Sequence, residues 1–178
     1  MYKRQHKDYF TFVDTAAILL KKNNGTGYKF LIIGADGGEA EQIKQYIQEK
    51  GLTKQIILTG FRKDIPQILP EVAIFLFTSK EEGLGTSVID ALACGVPVVA
   101  TKAGGIPEII KDGVNGFLAP IKNPTQLAEK VEELLMSPST RRKLIENGQA
   151  TVFQFSKAAT ARKTLAIYQE IIQQASAQ

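Results

Sequence analysis

Ser79-Lys80-Glu81-Glu82-Gly83-Leu84-Gly85-Thr86-Ser87-Val88-Ile89-Asp90-Ala91-Leu92-Ala93-Cys94-Gly95-Val96-Pro97-Val98-Val99 is the stretch on which the fold turns. It leaves an apolar run at residues 72–77 that reads as a strand. It then passes two glycines, enters a helix near Thr86 and delivers the chain to a second apolar strand at 97–100. Strand, turn, helix and strand in that order build a parallel sheet. In a doubly wound sheet the turn lies at the carboxyl edge of the strands, where ligands bind. Gly83 and Gly85 let the backbone turn tightly and present bare amides. The helix beginning near Thr86 aims its unsatisfied N–H groups and the positive end of its dipole at the same place, which suits a phosphate. Glu82 stands at the lip, and Asp90 follows eight positions later, just over two helical turns on. Both carboxylates can face one side and accept hydrogen bonds from sugar hydroxyls. Spacing alone leaves a second reading equally open, a solvated glutamate and a helix-surface aspartate beside an ordinary turn.

The same alternation runs outward in both directions. Phe10, Val13, Ala16, Ala17 and Leu20 recur at helical spacing over Tyr9–Lys22, ended by Asn23-Asn24-Gly25-Thr26-Gly27. Lys29-Phe30-Leu31-Ile32-Ile33 reads as a buried parallel strand stopped by Gly34. A helix is expected at 39–50, a strand at 55–58 closed by Gly60, and a weak fifth strand at 116–118. The C-terminal third is helical. Asn123-Pro124 supplies an N-cap and a proline at the first helical position, with Gln126 placed for a capping box. Ser137-Pro138 repeats the device, and Ser156 caps a last helix towards Gln174. These elements predict one α/β domain, a doubly wound, Rossmann-like parallel sheet.

At 178 residues, with 44% hydrophobic and 22% charged residues, the chain can bury a core without disulfides or metals. The net charge of +4 is spread thinly. It reads as a solvated surface, with attraction to an anionic membrane face or to a nucleotide diphosphate as the sharper alternative. No dense Lys/Arg stripe with interleaved aromatics argues for nucleic acid. The single cysteine, Cys94, cannot form an internal disulfide and reads as a small packed side chain. No apolar run approaches the ~18 residues of a membrane-spanning helix, so the expected location is the cytoplasm, including the peripheral inner membrane face.

The stretch 79–99 resembles the motif of the retaining GT-B glycosyltransferases called group one or family four. That motif reads roughly Glu-Gly-Phe-Gly, four residues, then Glu-Ala-Met-Ala-Cys-Gly-x-Pro-Val-Val-Ala. The similarity continues through Gly104-Gly105-Ile106-Pro107-Glu108, Asp112-Gly113-Val114-Asn115-Gly116-Phe117-Leu118, Ile32-Ile33-Gly34-Ala35-Asp36-Gly37 and Leu58-Thr59-Gly60-Phe61. The resemblance implies the C-terminal, donor-binding domain of such an enzyme. By it, Glu82 would bind hydroxyls of the transferred sugar as the residue of the catalytic centre. Backbone amides of Gly83, Leu84, Gly85 and Thr86 would approach the sugar and diphosphate, and Lys7 would hold the diphosphate. Asp90 would accept from the ribose hydroxyls, one methylene short of the usual glutamate. The substrate would be a nucleotide-diphosphate sugar of hexose type. The acceptor would be a glycan or lipid-linked molecule, bound by an N-terminal domain. No Asp-x-Asp pair occurs, which fits metal-independent chemistry in which amides and basic residues carry the leaving diphosphate. No cofactor is expected.

Other residues stay open on the sequence. Gly34-Ala35-Asp36-Gly37-Gly38 lacks the order of a dinucleotide fingerprint and reads as a loop. Glu108 could line the pocket rim or cap its own short helix. Arg62 and Lys63 read as a solvated loop, and His6, the only histidine, lies outside any motif. The family's domain opens with a strand ending in Gly-Arg-Leu that this chain does not contain. The expected consequence is a slot between the strands at 29–33 and 72–77, in an N-terminally truncated domain over 6–178. Arg4 does not replace the family's arginine partner of Lys7. Met1-Tyr2-Lys3-Arg4-Gln5 is what GTG-TAT-AAG-AGA-CAG encodes from a GTG start, a transposase-adaptor end sequence, so residues 1–5 are expected to be non-native. Two other functions compete: a GT-B-like nucleotide-sugar epimerase, which would want a histidine or carboxylate pair in the cleft, and a non-catalytic nucleotide-binding module.

Overall fold

The computed structural model describes residues 7–22, 27–34 and 39–176. Helix α1 (Tyr9–Lys22) buries Phe12, Val13, Ala16, Leu19 and Leu20 along one face and ends on Lys21 and Lys22, which suit the negative end of its dipole. Strand β1 (Phe30–Ile33), helix α2 (Ala40–Glu49) and strand β2 (Ile56–Gly60) follow. Gly51, at φ 69°, lets the chain leave α2: its N–H reaches the Gln48 carbonyl, and that of Leu52 reaches Ile47. Short α3 (Ile65–Ile68) runs into a 3-10 turn, Leu69–Glu71. Strand β3 (Phe75–Phe77), helix α4 (Thr86–Ala93), strand β4 (Val98–Thr101), helix α5 (Ile106–Ile109) and strand β5 (Phe117–Ala119) form the centre. Helices α6 (Pro124–Met136), α7 (Pro138–Val152) and α8 (Lys157–Ser176) close the chain.

All pairings among these strands are parallel. Alternate residues serve opposite faces, as strand geometry requires. Val98, Ala100 and Leu118 pack with α4 and α5, whereas Val99, Phe117 and Ala119 pack with α6 and Leu19 of α1. Helices therefore cover both faces of β3–β4–β5, the doubly wound arrangement expected. A third cluster joins α1 and α2 to Ile32 and Ile56 of the β1–β2 pair.

The strands form two blocks, β1–β2 and β3–β4–β5. Between β1 and β3 lies a cavity of about 720 Å³ walled by residues 28–33 and 71–78, at the place where the sequence predicts a slot. Leu31 and Ile57, opposite each other in register, are 40% and 44% exposed. Parallel strands normally bury both faces, so this half of the sheet is open.

Most expected elements are present with ends moved by a residue or two. The third strand is shorter than 72–77, because Val72 still closes the 3-10 turn at 69–71 and pairing with β4 begins only where Phe75 meets Val98. Asn123 and Ser137 accept from the backbone N–H of Gln126 and Thr140 as N-caps, and Ser156 caps α8 through Ala159. Residues 1–5, His6, most of the 23–27 loop and 35–38 lie outside the described residues.

Candidate donor site

The turn 79–85 is fixed from below. At the end of β4, Thr101 Oγ1 accepts from the Ser79 amide (2.9 Å) and donates to the Ser79 carbonyl (2.8 Å). The Gly105 amide donates to the Glu82 carbonyl at 3.0 Å. At Gly104 an added Cβ would lie 2.0 Å from that carbonyl oxygen, and at Gly105 2.2 Å from the Gly83 oxygen. Two loops thus dock backbone on backbone, which only glycine permits. Gly85, at φ 66°, is the left-handed N-cap residue of α4, and a Cβ there would meet Ile106 Cδ1 at 2.5 Å.

This geometry leaves the amides of Gly83, Leu84, Gly85, Thr86 and Ser87 with no hydrogen-bond acceptor among the described residues. The Gly85 carbonyl takes up the next two, Val88 and Ile89. A row of free N–H groups at a helix N-terminus favours an anion. Gly83, Leu84 and Thr86 are exposed, Ser87 is half-buried and Gly85 is buried, so the row opens to solvent on either side of Gly85.

Lys7 reaches the turn from the other side. It pairs with Ser79 in an isolated antiparallel bridge. Its ammonium forms an ion pair with Glu82 Oε2 and stands 4.0 Å above the Phe77 ring centroid, a cation–π arrangement. Glu82 is not at the lip as expected: its side chain is only 1% exposed. Docking on Gly104-Gly105 draws the residue inward, and Lys7 neutralises the buried carboxylate. Asp90 is exposed and makes no side-chain hydrogen bond or ion pair among the described residues. With Lys7, Phe77 and Ser87 it lines the cavity between the strand blocks. Tyr9 lines it too, its phenol held above the usual value by burial first and by the Glu39 carboxylate second.

The predicted residues thus gather at one edge, Glu82 beneath the turn and Lys7 and Asp90 beside it. Glu108 is exposed and makes no capping hydrogen bond, so the cap reading fails. Arg62 pairs with Asp64 on an exposed segment. Cys94 ends α4, half buried against the central core. Thr101, Phe77 and Asp8 escaped the sequence reading. A threonine closing Val98-Val99-Ala100 and an aspartate just before the first helical residue were the available signals. Among the described residues, no three His, Cys, Asp or Glu side chains converge as a metal site would need. No described helix is long and apolar enough to cross a membrane.

Fold and site together define a Rossmann-like α/β domain with a turn of unpaired amides at the carboxyl edge of its strands. The chain belongs to the glycosyl transferases group 1 family, whose model matches residues 3–151. EpsD of Bacillus subtilis is 32% identical over 164 residues, covering 92% of this chain and 42% of its own length. The N-acetyl-alpha-D-glucosaminyl L-malate synthase of Bacillus anthracis is 28% identical over 81% of this chain and 38% of itself. Anabaena HepE in complex with UDP superposes with a TM-score of 0.81 at 28% identity, over 95% of this chain and 47% of that one. The C-terminal domain of the Francisella tularensis group 1 protein LpcC gives 0.74 at 32% identity, over 85% and 80%. The chain spans less than half the length of the curated relatives it matches.

Proposed function

We propose that this chain is the nucleotide-sugar donor-binding half of a retaining, metal-independent glycosyltransferase that moves a hexose-type sugar to a glycan or lipid-linked acceptor. The observation that carries the reading is the row of five open amides at 83–87, set beside a lysine paired to a buried glutamate. The UDP bound by the Anabaena relative is a ligand of the class these amides suit. In this reading the amides and the α4 N-terminus take the diphosphate. Lys7 exchanges Glu82 for a phosphate oxygen, which frees the Glu82 carboxylate to accept from the sugar hydroxyls. Positive charge is thereby concentrated where the leaving diphosphate gains negative charge as the sugar–oxygen bond breaks, so no divalent ion is required of the site. Asp90 accepts from the ribose. The acceptor is held by a separate domain, and this chain alone does not turn over.

A calorimetric screen of UDP-, GDP- and ADP-sugars tests the reading, on this chain and on any longer form that carries an acceptor domain. One donor class should bind, and Glu82→Ala and Asp90→Ala should each weaken it. Unchanged binding in both variants would remove the site assignment.

A further inference from the structure

Asp8 is a buried carboxylate, 4% exposed, that the donor site as described does not use. Each of its polar groups is occupied. Oδ1 accepts from the Thr11 amide at 3.2 Å and Oδ2 from the Thr11 hydroxyl at 2.8 Å, while the backbone carbonyl accepts from Phe12 at 3.2 Å. Asp8 is therefore the N-cap of α1. It is also tied to the end of β3. Its amide donates to the Thr78 carbonyl at 3.2 Å, and its carbonyl accepts from the Thr78 hydroxyl at 2.8 Å. Lys80, in the donor turn itself, brings its ammonium to 3.8 Å from Oδ1.

Lys7 precedes this knot by one residue, and its own backbone lies opposite Ser79. A lysine side chain carries about 2 kcal/mol of rotamer freedom, so an ammonium held over one ring and against one carboxylate needs a fixed root. We propose that Asp8 is a positioning residue of the donor site. By capping α1 and lashing residues 7–8 to the end of β3, it sets the Lys7 ammonium between Glu82 and the Phe77 ring. The inference rests on the donor-binding reading for its consequence in binding, but the placement of Lys7 is testable without any donor.

The direct readout is the ring-current shift of the Lys7 ε-methylene, bonded to the ammonium that stands 4.0 Å above the Phe77 ring, recorded by NMR on the 178-residue chain. Asp8→Ala should collapse that shift, and Asp8→Asn, whose amide oxygen can still cap the Thr11 amide, should retain most of it. Thr78→Val removes the hydroxyl bond of the lash, leaves its backbone bond and spares the cap, and should also reduce the shift; it decides the question if Asp8→Ala does not fold. In binding, with UDP as the probe, Asp8→Ala should cost roughly tenfold, the scale on which supporting residues act. The same change added to Lys7→Ala should cost nothing more in UDP affinity while still lowering the melting temperature. An unshifted Lys7 signal in Asp8→Ala, or in Thr78→Val if the first does not fold, overturns the proposal. Equal losses of affinity with and without Lys7 would make Asp8 merely structural. Absence of UDP binding by the parent chain would count against the donor reading, while the NMR result would still decide the role of Asp8.

Discussion

Two glycines and one lysine govern the site at the level of single residues. Gly104→Ala places a methyl 2.0 Å from the Glu82 carbonyl oxygen, at a backbone φ of 49° that also disfavours a side chain. The turn must lift, with a cost of about 1–3 kcal/mol expected for overpacking, and the 83–87 amides lose their alignment. Thermal melting and UDP titration should both register it; a variant with parental stability would mean the two loops are not locked together. Lys7→Met keeps the contact with Phe77 but strands a carboxylate that is 1% exposed. The expected loss is about 2 kcal/mol, less than for a fully buried pair because Lys7 itself is 28% exposed. Restoring that stability with the double change Lys7→Met, Glu82→Met would identify the orphaned charge, and not lost packing, as the cause. The burial of Glu82 was not legible in the sequence, because it depends on a loop twenty-two residues further along the chain (104 against 82).

Among the elements, local rules were the readable ones. Caps, proline positions and apolar periodicity act over four or five residues, and they placed α1, α6, α7 and the strands. The 3-10 turn at 69–71 was hidden, because Leu69-Pro70-Glu71 is too short to carry a periodic signal and Leu69 is held by packing into the central core. The tie between α1 and α2 was equally invisible. Lys50 bonds Asp14 at 2.9 Å and lies 4.9 Å from the Tyr46 ring, whose hydroxyl also donates to Asp14. The hydrogen bond to Asp14, then Tyr46, raises Lys50 to about 12 from 10.5. A raised cationic group contributes fully below its unfolded value and loses the contribution as pH rises through the folded one. Lys50→Met should therefore melt lower by a constant margin below pH 10.5, with the two proteins converging as pH approaches about 12. The margin is expected below ~1 kcal/mol and to shrink in salt, since both partners are solvated. A margin that persists in concentrated salt would assign the effect to packing instead. Asn123→Ala and Ser137→Ala should each cost about 1 kcal/mol by chemical denaturation, as lost N-caps do.

For the whole molecule, the weak point is the division of the sheet. Central β4 is fully buried, and α4–α7 and α1–α6 clamp β3–β4–β5 from both faces. The β1–β2 pair instead hangs mainly on α1, α2 and their apolar cluster, with Phe30 alone of its strand residues reaching the cluster under β4–β5, and with a 720 Å³ cavity where a sheet partner would stand. Two strands alone are marginal in water, and exposed strand edges invite association. The slot was foreseeable from a family resemblance, but its energetic meaning comes from Leu31 and Ile57, which lie exposed on the uncovered face. Opening should therefore begin here. Native-state hydrogen exchange is expected to show lower protection for the amides of β1 and β2 than for those of β4, and ANS should bind the folded chain. Because α1 leads from the carboxyl edge at Lys7 back to β1, a strand placed ahead of Lys7 would enter the slot parallel to both neighbours with a right-handed crossover. A form of the polypeptide carrying such a strand should melt higher, bind less ANS and protect β1 as well as β4. Equal protection of β1 and β4 in the 178-residue chain would show that the division of the sheet carries no energetic weakness.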